Sequence, residues 1–230
     1  MVTATPPEGS LALLRLLQWV SPSLPIGGFT YSQGLEWAVE AGWVDGEATL
    51  ADWLGQVLRD GLAPVDLPAL ARLHRACREH DERALAHWAT WLQACRETAE
   101  LRLEERQRGR ALAALLVDLG VPHAATWRPL LETTAIAGFA LAVAADGIAI
   151  RDAAVGYAWA WLESQVIAAV KLIPLGQTAG QRLLRRLAPD IASAVDRALE
   201  LPDEALGGSL PALAIASSRH ETQYTRLFRS

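Results

Sequence analysis

The segment from Ala153 to Leu187 constrains the fold of this chain most, because its first half is apolar on every side of a helix. The large apolar side chains of this half, which include Tyr157, Trp161 and Ile167, are spaced so that they cannot all lie on one face of a helix. A helix that is apolar all round must be surrounded by other elements or by lipid. Glu163 interrupts the run at its middle, where lipid would make a carboxylate costly. The sequence therefore predicts a buried central helix at about 155–172.

The remainder of the chain also favours helices over strands. Ala and Leu dominate, Val and Ile are sparse, and 51% of the residues are hydrophobic, which is enough for a sizeable core. No segment of useful length alternates between apolar and polar residues, as a half-buried strand would. No internal repeat or long linker divides the chain. We therefore predict an all-α fold, a single-domain helical bundle over residues 1–230, with flexible tails at about 1–9 and 217–230.

Prolines and glycines mark the predicted boundaries between helices. Pro22 excludes a helix at the start of the segment 21–28, and Gly27 and Gly28 allow a sharp turn or a close approach there. Pro64 predicts a break in the chain, and Pro174 ends the central helix. The helices predicted between such breaks include 66–79, 82–95, 98–119 and 129–145.

Charge and cysteine content limit the classes of partner and compartment. The net charge of −5 provides no overall basic field that would recruit nucleic acid. Cys77 and Cys95 fit a reducing cytosol better than a disulfide scaffold. The first ten residues lack a basic segment followed by an apolar run, so no signal peptide is expected. We predict a cytoplasmic protein that binds neither nucleic acid nor membrane.

A search for reactive motifs finds none that is recognisable. His74 and Cys77 are three residues apart but have no further partner, and His80 and His87 would lie about 10 Å apart along a helix axis. HExxH, CxxC and GxSxG are all absent. The charged run at 96–110 is typical of a solvated helix face, with a partner-binding face as the alternative. The residues alone thus favour an interaction protein without catalytic residues, metal or cofactor.

Three stretches of the chain together resemble the UreF family of urease accessory proteins. They are SPSLPIGGFTYSQGLE at 21–36, AAVKLIPLGQTAGQRLL at 168–184 and SSRHETQYTRLFRS at 217–230, and RETAELRLEERQRGRAL at 96–112 looks like the middle helix of that family. The resemblance spans nearly the whole chain in the same order. It implies an all-α homodimer that joins UreD (also called UreH) and the GTPase UreG in a complex that delivers nickel to the urease apoprotein.

The resemblance also implies partner-binding roles for residues of these stretches. The tail mixes Tyr and Arg, which are favoured anchors at interfaces, and is expected to become ordered as it docks onto UreD. Lys171 matches a position on the surface that faces UreG, although a cation there also suits the carbonyl end of a helix. The predicted partner-binding residues are Lys171, Gln177, Gln181, Arg182, Arg219, His220, Glu221, Tyr224, Arg226, Leu227, Phe228, Arg229, Gly27, Gly28, Tyr31 and Glu36.

Two other functions remain open from the sequence. The first is a GTPase-activating protein in which Arg182 or Arg219 completes a partner's active site. The second is an enzyme with a noncontiguous site in a helical bundle that uses Glu36, Glu163 or His220.

Overall fold

The computed structural model describes residues 8–230, and these residues form an all-α fold. The helices are α1 (Glu8–Trp19), α2 (Leu35–Glu40), α3 (Glu47–Gln56), a π-helical segment (Val57–Asp66), α4 (Leu67–Glu79), α5 (Glu82–Ala94), α6 (Ala99–Asp118), α7 (Arg128–Leu131), α8 (Ala135–Ala145), α9 (Ile150–Leu172), α10 (Gln177–Glu200) and α11 (Pro211–His220). Short 3₁₀ turns lie at Gly28–Thr30 and Asp203–Ala205. The described residues contain no strand, so the predicted single all-α fold class is confirmed. The predicted flexible tail at 1–9 lies outside these residues except for its last two positions, which begin α1.

The centre of the molecule is α8, which packs against α4 and α6. Nine consecutive residues of α8, from Ala135 to Val143, are buried. Small side chains let its neighbours approach closely, since a Cβ atom added to Gly138 would come within 2.9 Å of the Leu112 side chain. The composition of α8 therefore fits a helix surrounded by others.

The predicted central helix is buried along one side only. It forms most of α9, which packs against α10. Ile167 and Lys171 are exposed, and Tyr157 and Trp161 are half-buried beside a groove between α9, α1 and the segment 20–33. The prediction of a surrounded helix at 155–172 is therefore wrong in detail, because Tyr157 and Trp161 pack at the edge of the core, where they also line this groove. No helix within residues 8–230 is both long enough and apolar enough to cross a bilayer.

The predicted break at Pro64 is absent. Helical backbone continues from α3 through the π-helical segment into α4, with Pro64 inside the segment. A proline ring clashes with the carbonyl of the preceding turn in an α-helix, and the wider π turn relieves that clash. The Pro64 carbonyl accepts a hydrogen bond from the Gly207 N–H at 3.0 Å, which fixes the connection between α10 and α11 against this segment.

The helix predicted at 129–145 is two helices, α7 and α8, with a break at 132–134. The Thr134 hydroxyl caps α8 by accepting from the Ile136 N–H, and it donates to the Glu105 carboxylate at 2.6 Å. Glu105 also pairs with Arg96 at 2.6 Å, and the same guanidinium pairs with Asp66 at 2.5 Å. This buried network holds α6, the π-helical segment and the start of α8 together.

Candidate partner-binding site

The last ten residues form a tail that folds back onto the body of the protein. After α11, the Arg229 N–H donates to the Thr30 carbonyl at 2.8 Å, and the Ser230 carbonyl accepts from the N–H groups of Ser32 and Gln33. The Ser230 hydroxyl donates to the Glu104 carboxylate at 2.7 Å. The predicted flexibility of residues 217–230 stays a prediction, and in the structure this segment lies folded against the body of the protein. Residues 217–220 complete α11, and residues 221–230, called the tail from here on, are held in place by hydrogen bonds.

Glu36 anchors the tail from the first turn of α2. Its buried carboxylate accepts hydrogen bonds from the N–H groups of Leu227 at 2.6 Å and Phe228 at 2.9 Å. A third bond, of 3.0 Å, comes from Nε2 of His220. A carboxylate that is ionised can accept all three, so Glu36 joins α2, α11 and the tail at one point.

His220 lies between two carboxylates with its side chain fully buried. Its Nδ1 is 2.8 Å from the Glu100 carboxylate at the start of α6, opposite its contact with Glu36. Glu100 also pairs with Arg226 of the tail at 2.9 Å. Burial alone lowers the pKa of the His220 imidazole, but its hydrogen bonds and charge interactions with Glu100 and Glu36 raise that pKa above its ordinary value on balance.

The outward side of the tail carries large exposed side chains. Tyr224 is fully exposed, and Leu227 is 70% exposed although its backbone N–H is bound to Glu36. Basic side chains surround them. We call this set the tail surface, and its members are Arg219, Tyr224, Arg226, Leu227 and Arg229, all exposed. Hydrogen bonds from Leu227, Phe228 and Arg229 hold the backbone beneath this surface against the body of the protein.

A second exposed set lies where α9 ends and α10 begins. Its members, called the α10 surface, are Lys171, Gln177, Gln181 and Arg182. Arg182 makes a loose ion pair with Glu47 of α3 at 3.5 Å. The Lys171 ammonium lies over the ring of Phe228, 5.6 Å from its centroid. This cation–π contact connects the α10 surface to the tail.

The structure places the other predicted partner-binding residues differently. Tyr31, Glu36, His220 and Phe228 are buried. Glu36, His220 and Phe228 make the contacts beneath the tail surface, whereas the Tyr31 hydroxyl donates to Gln107. Gly27 and Gly28 are half-buried in a turn, and Glu221 is exposed.

The charged run at 96–110 is not simply a solvated face. Glu100, Glu104 and Glu105 are buried, because the tail and Arg96 provide their partners. Sequence reasoning also missed Gln33, which has a positive φ of 54° and whose side chain donates to Glu104 at 2.9 Å. These positions carry no local signal, since their partners are distant in the sequence.

The candidates for metal binding do not assemble into one centre, and of the three candidates for catalysis Glu36 and His220 are in contact, at 3.0 Å. Within residues 8–230, no group of three or more His, Cys, Asp or Glu side chains is placed to hold a metal ion. His74 is bound instead to the Ile148 carbonyl at 3.1 Å. Burial raises the pKa of the Cys77 thiol to about 12, which keeps it protonated. Glu163 lines the groove beside α9, where burial raises its pKa.

Comparisons with known proteins give one consistent result. The profile of the UreF family matches residues 44–188. A urease accessory protein UreF from Pseudomonas putida is 59% identical over 223 residues, which cover 97% of this chain and 100% of that protein. The urease accessory protein UreF from Alkalilimnicola ehrlichii is 55% identical over 234 residues and is covered completely, as is this chain. The protein of that name from Alcanivorax borkumensis is 52% identical over 227 residues, with 95% of this chain and 98% of that protein covered.

Proposed function

The chain belongs to the UreF family of urease accessory proteins, and from that premise we propose that it joins UreD (also called UreH) to the GTPase UreG during nickel insertion into the urease apoprotein. In this proposal it acts in the cytoplasm as a homodimer. It is not an enzyme, uses no cofactor and binds neither nucleic acid nor membrane. The observation that carries the proposal is the tail surface, where large side chains are exposed on an ordered backbone.

The tail surface is proposed to bind UreD. Exposed Tyr and Leu side chains gain free energy when a partner covers them, at roughly 25 cal/mol for each Å² of apolar area removed from water. The entropic cost of docking is reduced here, because Leu227 and Phe228 are already held by Glu36. Tyr224 and the neighbouring Arg side chains are of the types that dominate interface energies.

The α10 surface is proposed to face UreG. Its exposed Lys171 and Arg182 provide positive charge on a chain whose net charge is −5. Its contact with Phe228 places it next to the tail. Adjacent surfaces for two partners support a bridging role.

The test for UreD binding is a co-purification of the full chain with UreD, UreG and the urease apoprotein. A variant combining Tyr224→Ala and Leu227→Ala is expected to weaken UreD binding at least about tenfold while its helical content stays unchanged. Leu119→Ala, which truncates another exposed leucine (52% exposed, beyond the end of α6), is the matched control and should bind normally. Unchanged UreD affinity in the double variant would contradict the proposal.

Regulation of GTP hydrolysis by UreG is a second candidate function. Arg219 is exposed, and no carboxylate of the described residues lies within 4.0 Å of its guanidinium. An arginine that enters the active site of a partner GTPase needs to be free in this way. Measuring GTP turnover by UreG with the wild-type chain and with Arg219→Ala distinguishes the two functions. Equal turnover with both would leave the bridging role as the function.

A further inference from the structure

The two ring nitrogens of His220 each face a carboxylate oxygen, Nε2 at 3.0 Å from Glu36 and Nδ1 at 2.8 Å from Glu100. A neutral imidazole donates from one nitrogen only, whereas both nitrogens donate in the imidazolium. We infer that His220 is an imidazolium whose proton positions the tail on the body of the protein, and that loss of this proton releases the tail. The effect of tail release on UreD binding rests on the proposed function, but the position of the tail can be measured without any partner.

The charged groups that face His220 come from three parts of the chain. Glu36 comes from α2 and Glu100 from the start of α6. Arg226 of the tail binds the other oxygen of Glu100, and Glu221 accepts from the Glu100 N–H at 3.3 Å. Glu36 has no other cationic partner among the described residues, because its remaining donors are two backbone N–H groups of the tail. The His220 proton is thus the main compensation for the Glu36 charge.

Further from the imidazole, two more groups bear on the tail. Glu104 of α6 accepts from the Ser230 hydroxyl and pairs with Arg108. Lys171 of α9 lies over the Phe228 ring. Neither charge contacts His220, so both support the tail without replacing the imidazolium between Glu36 and Glu100.

Loss of the proton leaves two buried carboxylates and one donor between them. An uncompensated buried charge is strongly unfavourable, and exposure to water relieves it. The tail lies over Glu36 and is bound to it through backbone N–H donations from Leu227 and Phe228. Movement of the tail is therefore the response that hydrates Glu36 at the lowest structural cost.

The direction of the pH dependence follows from the raised pKa of docked His220. A released tail leaves a histidine with an ordinary pKa of about 6.5. Between that value and the raised pKa of the docked form, docking takes up one proton, so its equilibrium constant falls about tenfold per pH unit. The tail is held at neutral pH and below, and it is released as the solution becomes alkaline.

The experiment uses the full chain labelled with fluorophenylalanine, because the sequence contains three Phe residues, Phe29, Phe139 and Phe228. Phe228 of the tail is buried, and Phe139 in α8 serves as the internal reference. Phe29 is not used as a reference, because the tail is bound to the neighbouring Thr30. Fluorine NMR is recorded from about pH 6 to about pH 10, beyond the ordinary pKa of histidine. The Phe228 resonance is expected to move to an exposed position in one proton-linked step at a pH above 6.5, while the Phe139 resonance stays in place.

Three variants make the test specific. His220→Gln removes the titrating group and should abolish the step. Glu100→Gln removes one of the two carboxylates, so the step should move to lower pH. His87→Gln, which replaces an exposed histidine of α5, is the matched control and should leave the step unchanged.

Two outcomes would overturn the inference. One is a Phe228 resonance that does not change over the whole range. The other is a step that persists in His220→Gln. If the tail is released as expected but the variant combining Tyr224→Ala and Leu227→Ala still binds UreD normally, the proton-dependent tail stands and the proposed UreD surface fails.

Discussion

Lys171 is the only lysine of the chain, and its ammonium group makes two different interactions. It occupies the last turn of α9, where a cation interacts favourably with the free carbonyl groups of the helix end. Its ammonium also lies over the Phe228 ring of the tail. The contact with Phe228 could not be predicted from the local sequence, because the two residues are 57 positions apart in the chain.

Lys171→Ala is expected to lower the free energy of unfolding by about 1 kcal/mol, since it removes both the helix-end charge and the cation–π contact. Binding of UreD should persist, while recruitment of UreG should be lost. Urea unfolding and co-purification with UreG measure the two effects. Lys171→Arg keeps the charge and is the control. Normal urease activation by Lys171→Ala would leave Lys171 with a structural role alone.

At the scale of elements, the junction of α2 with α11 determines where the tail begins. Gly34 precedes α2 with a φ of 82°, and a Cβ atom there would lie 2.8 Å from the Ser217 backbone nitrogen. Thr98 and Ser217 share a hydrogen bond of 2.8 Å beside it, which brings α6 to the same junction. The backbone of α2 and that of α11 therefore meet at a position that only glycine fits.

Gly34→Ala is expected to destabilise the protein by at least about 2 kcal/mol, because it adds a left-handed backbone penalty to a contact with backbone that cannot move aside. Gly28→Ala is the matched control, since a Cβ atom there meets nothing within 4 Å and its φ is not positive. That variant should change the free energy of unfolding by no more than about 1 kcal/mol. Denaturant titrations compare the two variants, and equal midpoints would contradict the assigned junction.

The same elements explain what the sequence could predict. The helix at 98–119 was predictable because Thr98 caps α6 by accepting from the Leu101 N–H, a contact three residues away. The position of the tail could not be predicted, because Glu36 binds Leu227 and Phe228, which are 191 and 192 residues away in the sequence. Composition and helical period are local signals, whereas burial of a carboxylate is decided by partners from elsewhere in the chain.

At the scale of the whole molecule, α1 presents an apolar face that the rest of residues 8–230 leaves uncovered. Its leucines Leu11, Leu13, Leu14 and Leu17 are 47–62% exposed. Soluble monomers rarely expose a contiguous apolar area of this kind. The proposed homodimer would remove such a surface from water.

Light scattering on the purified chain at micromolar concentration is expected to give the mass of a dimer. Combining Leu14→Glu with Leu17→Glu should shift the mass to that of the 24.8 kDa monomer, because each charge would be buried at the interface. Leu119→Glu, on an exposed leucine beyond the end of α6, is the control. Only monomer in the wild-type chain, with and without UreD, would contradict the homodimer, and a dimer in the double variant would exclude α1 from its interface.

The buried titratable groups also determine how the stability of the whole molecule depends on pH. Burial alone raises the pKa of Glu105, but Arg96, Arg108 and the Thr134 hydroxyl lower it below its ordinary value on balance. Burial lowers the pKa of His74, which is neutral when folded. Both groups therefore bind protons more readily in the unfolded chain, so both favour unfolding in acid. His220 acts in the opposite sense, because its folded pKa is raised.

The free energy of unfolding is therefore expected to be greatest near neutral pH and to fall on both sides. The acid decrease begins below about pH 6.5, where unfolded His74 takes up its proton, and steepens as the pH falls below the ordinary pKa of Glu105. The alkaline contribution of His220 begins once the pH rises above the ordinary pKa of histidine and is complete above its raised pKa, with a slope of at most about 1.4 kcal/mol per pH unit. Above about pH 8.5, the ordinary pKa of cysteine, buried Cys77 adds a further decrease, because its folded pKa is raised to about 12. Urea titrations across the pH range measure these decreases. In His220→Gln the decrease between about pH 6.5 and about pH 8.5 should disappear while the acid decrease remains, because the residues responsible for the two lie in different networks. Loss of both in that variant would show that they share one origin and would contradict the assignment.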